Sequence, residues 1–347
     1  MHISYKLKCQ NQDFRVTEVP LLPEVYPKNE SSYTYVCVEK DGLTTFEVIG
    51  ILKKELGIDF SDLNSEGLKD ENAITTQIIS VRKILSDRDV KRINKIYSVN
   101  KKSFSILNII GHGKSPVQER MLHGNLFRLT IRDLANVWAK KFVEYCQSNR
   151  FVFTVNYYDN QRFGMAGGPY NTHLIGKALV EQKWKIALRE LAKTKNEEIY
   201  GLMSKYNNGA ESILRELNPK KLLFYVSSYN SYLWNNEVSK TLKKINGNNT
   251  VKYPFKNVGE LYIPHGKGCL FSEIVSTSGY SFDVKNFISC KKQIDRNLFI
   301  STAVHTTKPM SDPLHKGKYM IDASFFLPTG SYATMFINQI FIKLKLS

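Results

Sequence analysis

The sequence has little of what marks a metalloprotein, a secreted scaffold or a membrane protein. Its five cysteines, Cys9, Cys37, Cys146, Cys269 and Cys290, are odd in number and contain no C-x-x-C pair. That pattern argues against a disulfide framework and against zinc-type spacing. The seven histidines are dispersed. The closest pairs, His305 with His315 and His112 with His123, lack an H-x-x-x-H spacing, so no metal is expected. Apolar runs such as Phe104–Ile110 fall well short of a membrane span, and "MHISYKLKCQ" has no apolar signal core, which predicts a soluble, cytoplasmic protein. Repeats and low-complexity tracts are missing as well. Acidic residues are in deficit, 32 against 49 Lys and Arg, for a formal charge of +17. Such a surplus, spread along the chain, favours a polyanionic partner, nucleic acid before others. The alternative is lysine enrichment by compositional drift, in keeping with the abundant Asn and Ile.

What is present reads as a mixed α/β chain of 347 residues, long enough for two domains. "DFRVTEV" and "YTYVCVEK" alternate as half-buried strands. In "DGLTTFEVIGILKKELG", Thr44 and Glu47 have capping-box spacing, Phe46, Ile49, Leu52 and Leu56 offer an apolar stripe, and Gly57 is a C-cap. Further strands are expected near Gln77–Val81, Phe104–Ile110, Leu126–Ile131 and Phe151–Val155, with a helix at Asp133–Gln147. The basic run Arg88, Lys91, Arg92, Lys95, Lys101 and Lys102 reads as a solvated face or a phosphate contact. After Val155 the pattern turns helical, at about Leu174–Thr194, Gly209–Leu217 and Tyr232–Ile245. A strand "MIDASFFL", a turn "PTG" and a helix from Tyr332 to Ile342 close the chain.

"EGLKDENAITTQ" places Lys69 and Asp70 after a glycine and before a strand. Gly67 to Asp70 therefore reads either as a shaped loop holding an acid at a strand edge or as a solvated turn. Together with "LHGNLFRLTIRDL", "NYYDNQRFG" and "FFLPTGSYATMFINQIF", this stretch resembles the TruD family of pseudouridine synthases. That family's signatures have the forms G-x-K-D-x-x-A-x-T-x-Q, G-N-x-F-x-x-x-x-R, N-Y-[FY]-x-x-Q-R-F-G and L-P-x-G-S-[FY]-A-T. "DFRVTEV", "GLTTFEVI" and "YNSYLWNNEV" follow in the family's order, and the resemblance spans most of the chain.

The resemblance implies an enzyme that isomerises a uridine already in RNA, with no cofactor and no metal. Its substrate would be tRNA, most often at position thirteen in relatives of this length. The fold it implies is a mixed-sheet catalytic domain from residues 1–152 and 301–347, with a more helical domain inserted at 153–300 and RNA bound in the cleft between them. Asp70 matches the catalytic aspartate, and Lys8 aligns with the basic residue paired to it. Substrate binding falls to Phe14, Asn125, Phe127, Tyr332, Lys69, Gln77 and Arg162. Phe127 would stack on the uracil while Asn125 reads its edge, although an aromatic on a half-buried strand also fits a core role. Phe14 and Tyr332 match aromatics lining the family's pocket, with a core anchor and a rim residue as their other readings. Lys69 is the weaker partner for Asp70 and is expected at solvent or a phosphate. Asn156, Gln161 and Arg162 read as hinge and cleft residues. Gly167 and Gly168 suggest a phosphate cradle only weakly, since the P-loop lysine and serine are missing.

Two departures stand out. Asn11-Gln12 replaces a proline found in relatives, and Glu71 puts a like charge beside Asp70. The alternative from another class is an RNA-binding or RNA-folding module on the same scaffold without turnover, against which the intact Asp70, Lys8, Asn125 and Phe127 argue. A metal-dependent nuclease is disfavoured by the lack of suitably spaced acids. No protein partner can be named.

Overall fold

The period-two segments become strands of one mixed sheet in the computed structural model, which describes residues 3–94, 98–99, 102–118, 122–164, 168–194, 197–205, 209–255, 258–265 and 274–345. Lys95, Lys101, Gly167 and Cys269 lie outside the described residues. In chain order the elements are β1 (Phe14–Pro20), β2 (Tyr33–Asp41), α1 (Thr45–Leu56), β3 (Leu63–Ser65), β4 (Ile74–Val81), α2 (Asp87–Asn94), β5 (Ser98–Val99), β6 (Lys102–Gly113), β7 (Leu122–Leu134), α3 (Asn136–Ser148) and β8 (Val152–Val155). They continue with α4 (Thr172–Val180), α5 (Trp184–Ala192), α6 (Glu197–Lys205), α7 (Gly209–Arg215), α8 (Pro219–Asn246), β9 (Thr250–Phe255), β10 (Gly259–Pro264), β11 (Ile274–Asp283), β12 (Ile288–Asn297) and β13 (Phe299–Thr302). β14 (His305–Thr306), β15 (Met310–Ser311), β16 (Tyr319–Pro328) and α9 (Ala333–Leu344) complete the chain.

The chain divides into two compact units, Met1–Val152 with Ser301–Ala333, and Phe153–Ile300 with Thr334–Ser347. The first carries the large sheet, in the order β14-β16-β7-β1-β4-β2-β6-β5, with β3 and β15 pairing β4 and β16. β1 runs parallel to β4 and antiparallel to β7, so the sheet is mixed. α1 starts with a capping box between Thr44 and Glu47 and stops at Gly57 in the left-handed region, as its sequence specifies. It packs Val48, Ile49, Leu52 and Leu56 onto Val36, Val38, Ile79 and Phe104, each burial stabilising by about 1.5–3 kcal/mol. Phe46, expected in that stripe, is 62% exposed. Val48 takes its place because the sheet fixes which side of the helix turns inward.

In the second unit α8 runs for 28 residues from an Asn218 cap and a proline in its first turn. It crosses α4 so closely that a Cβ on Gly176 would stand 2.0 Å from the Tyr225 carbonyl oxygen, which only glycine permits. The expected helix from Leu174 to Thr194 is two helices, broken near Gln182, whose φ is +55°. Hairpins β9–β10 and β11–β12 add strands that the helical reading did not contain. Residues 334–347, expected with the first domain, group with this unit. Gln339 exchanges two hydrogen bonds with the Val155 backbone at 2.9 and 2.7 Å, and the Lys343 ammonium donates to the Phe153 carbonyl at 2.6 Å.

One residue sets the start of the first unit. The backbone of Arg132 exchanges two 2.9 Å hydrogen bonds with Lys6. Its guanidinium makes a fork onto Asp13, at 2.8–3.0 Å, and reaches Asp312 at 3.0 Å. All three charged side chains are buried, so the segment from Lys6 to Asp13 is held at both ends by a single side of β7. Burial alone would push the Asp312 carboxyl up. The backbone N–H groups of Asp133 and Leu314, His315 and Arg132 outweigh it and hold the group down at about 2.

Removing the cation leaves two buried carboxylates uncompensated, so Arg132→Met is expected to destabilise the protein by about 3–5 kcal/mol, read from the urea midpoint. Asp312 is depressed below its ordinary value of about 3.9, so its contribution is complete above that pH and drains away as pH falls toward 2. Asp312→Asn should flatten the stability profile in that window. An unchanged profile would show the carboxylate to be idle.

Candidate active site

The loop before β4 is built by its neighbours. Gly67 supplies the turn with φ +71°, and the Lys69 amide donates to Thr45 Oγ1 at 3.0 Å. That hydroxyl in turn donates to Gln77 Oε1 at 3.0 Å. The strongest hold comes from Lys40, whose ammonium donates to the carbonyls of Asp70 at 2.7 Å and Leu43 at 2.6 Å. Lys40 is wholly buried. Desolvation pulls its pKa down to about 8, against the favourable pull of the Asp70 charge.

Asp70 is thereby offered at the sheet edge with its side chain 39% exposed. Its Oδ2 accepts from the Lys8 ammonium at 2.8 Å, while Oδ1 has no hydrogen-bond partner among the described residues. Lys8 also lies over the Phe14 ring, 4.1 Å from its centroid. Its backbone sits in the left-handed region at φ +60°, a conformation that costs about 1–2 kcal/mol for a residue with a Cβ. The ends of its segment are fixed at Lys6 and Asp13 by Arg132, which keeps the strained residue in place.

Four of the expected substrate residues are largely buried among the sheet's own side chains. Lys69 points away from Asp70, as a neighbour in an extended turn must, but not to solvent. Its ammonium lies 2.6 Å from Glu18 Oε1, with the two side chains 9% and 3% exposed, which corrects the expectation of a phosphate contact. Burial pushes the Glu18 carboxyl up, Lys69 opposes this, and Glu18 Oε2 accepts from the Ile78 amide at 2.7 Å. Phe127 is 7% exposed, stacked on Phe325 at 5.7 Å and meeting Phe14 edge-on at 6.0 Å. Phe325 thus covers one face of the ring and Phe14 meets it edge-on, while Phe14 itself is 3% exposed. Gln77 is fully buried, with Nε2 unpartnered.

Asn125 lies opposite Glu18 across β7 and β1, and its buried Oδ1 also lacks a partner. Tyr332 is half-buried in the link between β16 and α9. Glu71 sends its carboxylate to Lys102 at 3.2 Å, which Glu47 shares. In the second unit, Arg162 donates to Ser231 at 3.1 Å and to Ser227, with its guanidinium over the half-exposed Phe224 ring. Asn156 there is buried and bonded to Arg296, and Gln161 is exposed. Among the described residues no three His, Cys, Asp or Glu side chains gather as a metal site. No helix among them is long and apolar enough to cross a membrane.

Sequence reasoning passed over Lys40, Thr45 and Glu18. The signal was there for two of them. Glu18 follows Phe14 and Val16, and Lys40 follows Val36 and Val38, on the inward phase of their strands. The resulting site is an ion pair with one free carboxylate oxygen, suited to a nucleophile or a base.

The family model described as "tRNA pseudouridine synthase D (TruD)" matches residues 2–202. The "Probable tRNA pseudouridine synthase D 1" of Methanococcus maripaludis is 25% identical, over 97% of this chain and 99% of its own length. The human "Pseudouridylate synthase 7 homolog" is 27% identical, over 63% of this chain and 37% of its own. The crystal structure of a putative tRNA pseudouridine synthase D from Methanosarcina mazei superposes with a TM-score of 0.61. It is 18% identical and the match covers 99% of this chain and 94% of that one, which shows the fold.

If Lys40 clamps the loop, Lys40→Met should raise hydrogen exchange at the Lys69 amide tenfold or more while amides of β7 keep their protection. Equal protection in both proteins would refute the clamp. In the unaltered protein the Lys40 ammonium should titrate near pH 8, followed by NMR.

Proposed function

The chain belongs to the TruD family of tRNA pseudouridine synthases, and from that premise we propose that Asp70 isomerises a uridine of tRNA, at position thirteen, to pseudouridine. The observation that carries this reading is the Lys8–Asp70 pair at 2.8 Å, with one carboxylate oxygen bonded and the other open, on a loop fixed by a buried lysine. The reaction breaks the bond between uracil N1 and ribose C1′, turns the base and joins C5 to C1′. The proton on C5 is released and N1 gains one, so the product is an isomer and no redox partner enters.

Asp70 acts at the ribose through Oδ1, while the Lys8 ammonium holds Oδ2 at 2.8 Å. Asn125 Oδ1, buried and unpartnered, is an acceptor of the kind a uracil N3–H needs. Tyr332 borders the base and Arg162 meets an RNA phosphate. The first unit is the catalytic domain and the second the family's insertion. Phe14, Phe127, Gln77 and the Glu18–Lys69 pair support these residues from within the sheet.

Asp70→Asn is expected to abolish tritium release from C5-labelled uridine in tRNA while RNA affinity stays within about threefold, since phosphate contacts supply most binding. Release at the unaltered rate would remove Asp70 from the chemistry. Lys8→Met should lower turnover by about 10²-fold, whereas Lys69→Met should chiefly lower the unfolding midpoint.

A further inference from the structure

The face of the sheet opposite the Phe14–Phe127–Phe325 core carries a row of donors that the reaction does not use. His305 on β14 is registered with Ser324 on β16, Ser324 with Arg128 on β7, and Arg128 with Arg15 on β1. Directly opposed residues share a face, so imidazole, hydroxyl and two guanidinium groups line up across four strands over about 14 Å. They border a cavity of about 600 Å³ that Thr130 and Thr307 also line.

Two arginines in register repel each other and weaken the strand pair unless an anion joins them. Among the described residues neither is bonded to a carboxylate. The acid within the cavity, Asp322, is engaged through Oδ1 by the Thr130 hydroxyl at 2.7 Å. On the same face Glu39 and Asp41 belong to β2, beyond β4, and Asp41 Oδ1 accepts from Asn11 at 2.6 Å. Alongside the row, Phe326 stacks on His123 with centroids 5.1 Å apart. Paired guanidinium groups match phosphate oxygens, and a stacked aromatic pair matches a base, a combination that favours nucleic acid over a small anion.

We propose that the His305–Ser324–Arg128–Arg15 row is a second RNA-contact surface, on the sheet face away from Asp70, that holds the phosphodiester backbone across the strands. It rests on the reading of this chain as a tRNA-modifying enzyme and extends it to a remote part of the RNA.

The test compares Arg15→Gln/Arg128→Gln with Lys53→Gln/Lys54→Gln, which removes the same charge from the last turn of α1. Affinity for a folded tRNA transcript is measured over a range of salt, with inorganic phosphate titrated separately. The arginine variant should bind at least tenfold more weakly at low salt, and its log–log salt slope should be shallower by about 1.5, for two lost phosphate contacts. The lysine variant should keep both values. Equal losses in the two variants, or none in the arginine variant, would overturn the surface. So would binding of phosphate that the arginine substitutions abolish while RNA affinity holds. Tritium release by the unaltered protein is read in parallel. If it is missing while the arginine variant still loses RNA affinity, the catalytic reading falls and the surface stands.

Discussion

A single guanidinium underlies the geometry of the site. Arg132 holds Lys6 through its backbone and Asp13 through its side chain, so the segment between them has no freedom to relax. Lys8 sits inside that span in a backbone conformation it would leave if released. A buried triad of one cation and two acids is a poor source of stability compared with a hydrophobic equivalent, because desolvation takes back much of the Coulombic gain. What it supplies here is a fixed start for β1 and a fixed place for the ammonium beside Asp70.

The other half of the pair is held by similar means. Lys40 enters the sheet interior and can be satisfied there only by carbonyl oxygens, and those at hand belong to Leu43 and Asp70. The loop takes its shape because a buried donor demands it. Glu18, two strands over on β1, repeats the arrangement with Lys69, and the Ile78 amide is the additional partner. Charges placed on the apolar phase of two strands, Glu18 on β1 and Lys40 on β2, thus pin the backbone around Asp70, and the carboxylate itself stays accessible.

How far this was legible depended on whether the determinant was local. The caps of α1, Thr44, Glu47 and Gly57, act within one turn and were readable, as were the alternations of β1, β2 and β16. Phe46 was misplaced because a short helix admits two apolar phases, and the choice between them is made by the sheet. The first half of α8 was missed because it buries Ser228, Asn230 and Ser231 among its apolar residues, which blurs the period. β12 is largely exposed and offered no apolar alternation to find. Asp70 and Lys8 came from the motif resemblance, and so did Phe127, whose burial among aromatics from three strands is a long-range fact. The roles of Lys69 and Lys40 depend on partners far along the chain.

The sheet's own order has a consequence for how the chain is made. β7 and β16 are neighbours, yet Thr130 and its partner Asp322 lie 192 positions apart, with nearly all of the second unit encoded between them. A ribosome adding about 5–20 residues per second needs roughly 10–40 seconds to cover that distance. Throughout that interval β7 is a nascent edge with no outer neighbour, thirteen residues long and rich in apolar side chains. Arg132 likewise waits for Asp312 with only Asp13 in hand. The sheet therefore closes only after β16 has been made, and a chain ended anywhere before residue 319 leaves the ribosome with β7 unprotected.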